Sequence, residues 1–201
     1  MILRKSGKPP RESSEARQAI VDAAVRIVED GERQLDARSV AKEAGRSLGT
    51  LTHHFKGGGL WELRGAVAAR GFLWLAGALR QAVSEAADAE PEQQLRQMAL
   101  GYLRFAAEHP RLYRAMFADE WGELVLDAQQ ALHAVLRKHI GQCQQAGVFR
   151  PGAVERIELS TIALLHGIAA LVVDGRVGTE ELETVGSEAI EDLFRGFVRR
   201  D

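Results

Sequence analysis

The residues best able to do chemistry lie close together. From Asp36 to Phe55 the chain reads DARSVAKEAGRSLGTLTHHF, gathering Arg38, Arg46, Ser47, Thr50, Thr52, His53 and His54, with Lys56 just beyond. Gly45-Arg46-Ser47-Leu48-Gly49 has the spacing of a nucleophile elbow, in which a strained strand-to-helix turn exposes a serine hydroxyl. That chemistry needs a strand before the turn, and here a helical pattern precedes it. The hydrolase reading is set aside, and the glycines are read as turn residues. Metal chemistry is unsupported as well. The six histidines include His53-His54 and His133 with His139, yet neither His-Glu-x-x-His nor Glu-x-x-His spacing occurs. No metal and no cofactor is expected. What the stretch does offer is hydroxyls, imidazoles and cations suited to phosphate oxygens, with Leu48 able to meet a thymine methyl.

Such a surface works only if something rigid holds it. Asp36 is a good helix N-cap, because its carboxylate can accept the free amides of the first turn. Val40, Ala41 and Ala44 then face inward, and Gly45 ends the helix. A second short helix over about 47–54 is anchored by Leu51 and Phe55, leaving its other faces open. Helix, glycine turn and short helix together form a helix-turn-helix, whose second helix can enter a major groove. A preceding helix over 14–30, with Ile20, Ala23, Ala24, Ile27 and Val28 at helical spacing, would complete a three-helix head. Residues 1–12 carry Arg4, Lys5, Lys8 and Arg11 around Pro9-Pro10 and are read as a flexible basic arm.

The rest of the chain shows helical stripes and almost no β-branched alternation. Leu60, Leu63, Val67, Leu75, Leu79 and Val83 define one long helix. Leu95, Met98, Ala99, Tyr102 and Ala106 define a second, which stops at His109-Pro110 because the residue before proline avoids helix. A short helix over 111–118 follows. Leu124, Ala128, Ala131, Val135 and Cys143 mark the buried side of the next, and 159–173 is apolar nearly all round. Leu182, Val185, Ala189, Ile190, Leu193 and Phe197 form the last stripe. The fold class expected is all-α: three small helices in the head and about six in a body. The domains would be the arm at 1–12, the head at 13–57 and the body at 58–201.

Bulk properties agree with this division without naming a function. The net charge is −2, so no overall basic character points to nucleic acid. Residues 1–60 hold 11 Lys and Arg against 8 Asp and Glu, while residues 61–201 hold 15 against 20. A mildly basic head on an acidic body favours local attraction to phosphates. The single cysteine, Cys143, excludes an internal disulfide and fits a reducing compartment. No apolar run approaches the roughly 18–20 residues of a membrane span, and the N-terminus lacks a secretory h-region. A cytoplasmic location is expected.

The stretch also resembles a known family. Val40-Ala41, Ala44-Gly45, Ser47, Gly49-Thr50-Leu51 and His53-His54-Phe55 stand in register with the DNA-binding domain of the tetracycline-repressor-type (TetR) transcriptional regulators. Phe105 to Phe117 and Leu164 to Gly175 resemble a C-terminal domain type of that family named for a Trp-His-Gly element. Three positions depart from the pattern: Arg46 replaces a usual Val, Thr52 a usual Tyr, and Gly58 a usual Lys. The resemblance implies that Thr50 and His53 contact phosphate, within a surface of Arg38, Arg46, Ser47, Leu48, Gly49, Thr50, Thr52, His53 and Lys56. It implies a ligand cavity in the body, for which Tyr102, Phe105, Tyr113, Met116, Phe117, Trp121 and His166 are the candidates. His166, alone on an apolar helix, reads either as a hydrogen-bonded core histidine or as a ligand contact. Pairing of the last two helices, about 155–174 and 180–199, would form a homodimer. The function implied is a ligand-responsive regulator, a repressor in class, that binds a palindromic double-stranded DNA operator and is released by a small, largely apolar effector. The alternative is a dimeric helical small-molecule-binding or interaction protein with weakened DNA binding. A helical enzyme is disfavoured, because no nucleophile, acid–base pair or cofactor motif converges.

Overall fold

In the computed structural model, residues 10–57, 59–118 and 121–198 are described, and their backbone forms nine α-helices. These are α1 (Pro10–Asp30), α2 (Ala37–Glu43), α3 (Leu48–His54), α4 (Leu60–Glu85), α5 (Pro91–Glu108), α6 (Pro110–Met116), α7 (Glu123–Gln145), α8 (Val154–Val173) and α9 (Leu182–Arg195). The only β feature among the described residues is an isolated antiparallel bridge between Phe149 and Val198. The all-α expectation holds.

The helices begin and end for local reasons. Pro91 and Pro110 sit in the first turns of α5 and α6, where a missing N–H costs nothing. Pro10 likewise opens α1, so residues 10–12 belong to a helix and not to the expected arm. The remainder of that arm, with Arg4, Lys5 and Lys8, lies outside the described residues. So does Gly58. At the end of α2 the Gly45 N–H reaches Lys42 O at 3.1 Å and the Arg46 N–H reaches Ala41 O at 2.9 Å. This is a Schellman closure, and it needs the positive φ of 61° that Gly45 supplies.

α2 and α3 both pack on α1, and Val40, Ala41, Leu51 and Phe55 join Ile20, Ala24 and Ile27 in the buried core. In the body α4 is central and packs against α5, α6 and α7, while α5 supports α8 and α9. Of the expected stripe of α7, Ala128 and Cys143 are buried, but the other members are one position off. Leu124, Ala131 and Val135 are only half-buried, whereas Val125, Leu132, Leu136 and Ile140 are buried. Two neighbouring apolar stripes run along that helix, and periodicity alone does not choose between them. α8 starts at Val154, close to the expected 155–174, and takes in Glu158. At 20 residues and a mean hydropathy of 1.6, α8 is long and apolar enough, by length and composition, to cross a membrane, contrary to the expectation that no apolar run approaches that length. Here it packs against α5, α7 and α9.

Candidate nucleic-acid interface and buried cavity

The head presents one short helix outward. Leu51 and Phe55 are buried beneath α3, and the Arg17 guanidinium lies over the Phe55 ring at 5.1 Å. Burying two such side chains stabilises the docking of α3 by about 1.5–3 kcal/mol each. On the open side Arg38, Arg46, Ser47, Leu48, Gly49, Thr52, His53 and Lys56 are exposed, and Thr50 is half-buried. Arg46, at the position of the usual buried Val, points its side chain to solvent and leaves the turn intact. The structure therefore leaves these residues accessible in and around α2 and α3.

Their hydrogen bonds qualify that surface. Ser47 Oγ caps α3 by accepting the Thr50 N–H at 3.1 Å, and the two hydroxyls are 2.9 Å apart. The serine of the Gly-x-Ser-x-Gly spacing is thus a helix cap, with a helix before it. The Thr52 hydroxyl donates to its own helix, at Leu48 O and Gly49 O, both 3.1 Å away. Asp36 caps α2 as expected, accepting from Ser39 N at 3.0 Å, Ser39 Oγ at 2.7 Å and Arg38 N at 2.8 Å. These bonds, led by the Ser39 amide, hold its carboxyl below the usual range. Glu43 accepts from both Arg33 and Arg26 at 2.9 Å, which commits those two cations to bracing α2.

Head and body meet in a reciprocal cap that sequence reading did not find. The Glu29 carboxylate, near the end of α1, accepts the Leu112 N–H of the first turn of α6 at 3.1 Å and bonds His109 Nδ1 at 2.7 Å. In return the Arg111 guanidinium donates to Glu29 O at 2.8 Å and Asp30 O at 2.6 Å, two carbonyls at the end of α1. Each helix terminus satisfies the other's unpaired groups and opposes its dipole. Gly31 leaves room for Arg111, since a Cβ there would collide with the guanidinium. Arg70 to Asp22, at 3.1 Å, adds a tie between α4 and α1. The cap partners are about eighty positions apart, so no local pattern shows them.

The other end of α6 borders a cavity of about 260 Å³ within the body. Its wall is formed by Phe72, Leu79, Met98, Ala99, Tyr102, Phe117, Gln129, Leu132, His133, Leu136, Leu159, Ile162, Ala163, Leu165 and His166. Of the predicted residues, Tyr102, Phe117 and His166 line it. Tyr113 stands directly behind, with its hydroxyl 3.1 Å from Tyr102 Oη and 2.7 Å from His166 Nδ1. The other three lie elsewhere. Phe105 packs on His109, Met116 fills the space left by Gly71, and Trp121 stacks near Trp61 and donates to Ala115 O at 3.3 Å. Their helical spacing marked burial correctly but not which void they border.

Burial sets the protonation of the polar groups here. It pushes the Tyr102 phenol up to about 12 and raises that of Tyr113 as well, so both keep their protons. It lowers His166, which favours the neutral ring. At the α7 side the buried Glu158 carboxylate bonds His133 Nδ1 at 2.8 Å and accepts from Arg137 Nε at 2.7 Å. Nothing in the sequence around Glu158 distinguishes it from a surface glutamate. Among the described residues no group of three or more His, Cys, Asp or Glu is placed to hold a metal ion.

A three-helix head with an outward helix, joined to a helical body around an apolar cavity, is the build of a one-component transcriptional regulator. Residues 95–195 match the family model for the tetracyclin repressor-like C-terminal domain, and the chain belongs to that family, the TetR regulators. The fold is shared over nearly the whole chain with solved structures. A protein with unknown function from Rhodococcus sp. RHA1 is 29% identical, with 92% of this chain and 95% of that one covered and a TM-score of 0.76. A TetR-family transcriptional regulator from Mesorhizobium loti MAFF303099 is 17% identical, covering 93% and 98%, at a TM-score of 0.74. RolR, solved in complex with resorcinol, is 15% identical, covering 94% and 90%, at a TM-score of 0.67. No curated protein matches the chain significantly in sequence.

Proposed function

We propose that this regulator is a homodimeric repressor that binds a near-palindromic DNA operator and is released by a small, largely apolar effector. The observation that carries the reading is the path through α6, which runs beside a second one along α4. Phe117 and Tyr113 meet the cavity region at one end of that helix, and the reciprocal cap with α1 holds the head at the other. A ligand that fits the cavity better with α6 displaced would shift the head, since only differential binding moves such an equilibrium.

In this reading the head through residue 57 is the DNA-binding unit, 58–201 the effector-binding and dimerisation unit, and residues ahead of α1 an arm. Arg38, Arg46, Ser47, Leu48, Gly49, Thr50, Thr52, His53 and Lys56 form the DNA surface, with Thr50 and His53 on phosphates. The effector site is the cavity, which as in the solved complex of RolR would take a small organic molecule. The partners are double-stranded DNA, the effector and a second copy joined through α8 and α9, and the chain regulates rather than catalyses. Selection of bound duplexes from a random pool tests the DNA reading, which predicts enrichment of an inverted repeat. A pool that stays unenriched at moderate salt overturns it.

One observation favours a second reading, a dimeric small-molecule-binding or interaction protein with weakened DNA affinity. The Thr52 hydroxyl is turned onto its own backbone, and that of Thr50 onto Ser47. A binding constant for nonspecific DNA that does not change with salt would support this reading over the first.

A further inference from the structure

We infer that the cavity selects uncharged, mostly apolar molecules carrying one hydrogen-bond acceptor, of the carbonyl class, seated against the Tyr102–Tyr113–His166 chain. The inference rests on the cavity being the effector site and names what that site takes.

It follows from counting hydrogens. Two phenols and one neutral imidazole hold three polar hydrogens. The chain they form has two links, Tyr102 to Tyr113 and Tyr113 to His166. One hydrogen is therefore left over. Leaving it on Tyr113 would orphan a hydroxyl hydrogen in the buried middle of the chain, which protein interiors rarely allow. It falls at an end instead, as Tyr102 O–H or as His166 Nε2–H. Both of these residues line the cavity, whereas Tyr113 does not. Because the chain can reverse its direction, the spare hydrogen can stand at either end, on Tyr102 or on His166.

The rest of the wall says what the ligand must not carry. A carboxylate would need a cation, and the nearest candidates, Arg137 and His133, are already bound to the buried Glu158. Freeing either would take from that buried carboxylate one of its two partners, a cost set against whatever a second anion gains. A pure hydrocarbon would fill the space but leave the spare hydrogen without an acceptor, which costs about a factor of ten in affinity.

Acetophenone, ethylbenzene and benzoate are close in size and differ in offering a neutral acceptor, none and an anion, so isothermal calorimetry with the three probes on the full-length protein is the test. The expected order is acetophenone ahead of ethylbenzene by about tenfold, with benzoate weakest. The triple variant Tyr102→Phe, Tyr113→Phe, His166→Leu removes the whole chain, leaving no orphan partner behind, and should lose the preference for acetophenone over ethylbenzene. Equal binding of the two by the unmodified protein overturns the inference while leaving the effector cavity standing, and so does benzoate binding best. If none of the three binds, the effector reading of the cavity falls and this inference with it. The wild-type ranking decides the matter even if the triple variant does not fold.

Discussion

Whether a side chain on α3 can reach DNA depends on where its polar hydrogens already go. Thr50 and Thr52 are both engaged within the head, so charge and imidazole must carry more of the contact. Lys56 is exposed where α3 ends, and Lys56→Ala should lower the slope of log affinity against log salt by roughly 0.9, the contribution of one phosphate. Thr50→Ala combined with His53→Ala should weaken operator binding in a gel-shift titration and leave the oligomeric state unchanged. Unaltered affinity would mean that the contact surface lies elsewhere. A third residue-scale effect concerns pH. Burial depresses the His166 pKa below its ordinary value of 6.5, so the unfolded chain takes up the proton more readily. The stability that His166 gains from being neutral is complete above pH 6.5 and falls as the pH drops below that value. Urea midpoints measured at pH 7.5 and 5 should therefore decline less in His166→Gln than in the unmodified protein. Equal declines would show that this ring does not titrate between the folded and unfolded states.

At the scale of elements, α6 is the short link between two jobs. Its first turn is held by Glu29, and Phe117, just past its last residue, lines the cavity, so a shift along it reaches the head without passing through the longer helices. Arg111→Ala removes the donor from the Glu29 and Asp30 carbonyls, which are at the solvent-accessible end of α1 and can be hydrated instead. Operator affinity should stay within about threefold, because α2 and α3 keep their own packing on α1, while a cavity ligand should no longer release the DNA. Full release by the same ligand in this variant, followed by fluorescence anisotropy, would assign the coupling to α4. These elements also show what was legible beforehand. The caps at Asp36 and Ser47, the turn at Gly45 and the break at His109-Pro110 follow from bonding rules that act within a few residues, and the structure contains each of them. The anchors Leu51 and Phe55 were legible for the same reason. The register of α7 was not, since its two apolar stripes differ only in what packs against them. Glu29 with Arg111, and Glu158 with Arg137, were hidden because the partners meet only after the helices fold together. Phe105, Met116 and Trp121 looked like cavity residues because aromatic and Met spacing reports burial and is silent about empty space.

The whole molecule poses the question of what covers α8. Within one chain Leu159 remains 70% exposed and Leu171 41%, and Ala163 and Gly167 are exposed between them at helical spacing. On α9, Val185 is exposed and Ala189 and Leu193 are half-buried. An apolar stripe on two adjacent helices, with small residues at its centre, is suited to close approach of a second copy, and four helices would then bury both stripes. Such a dimer would set two α3 helices toward successive major grooves, which requires roughly 34–36 Å between them. Gly167 offers a clean probe of this arrangement. A Cβ at that position meets nothing within 4 Å in the single chain, so a larger side chain fits the monomer without strain. A guanidinium placed there would be buried without a counter-ion between two subunits. Gly167→Arg should therefore sediment as a folded monomer with unchanged helical circular dichroism, and lose specific operator binding because one head reads only half a site. If the variant remains dimeric and still binds the operator, α8 is not the interface, and its apolar face answers to something other than a second copy of this chain.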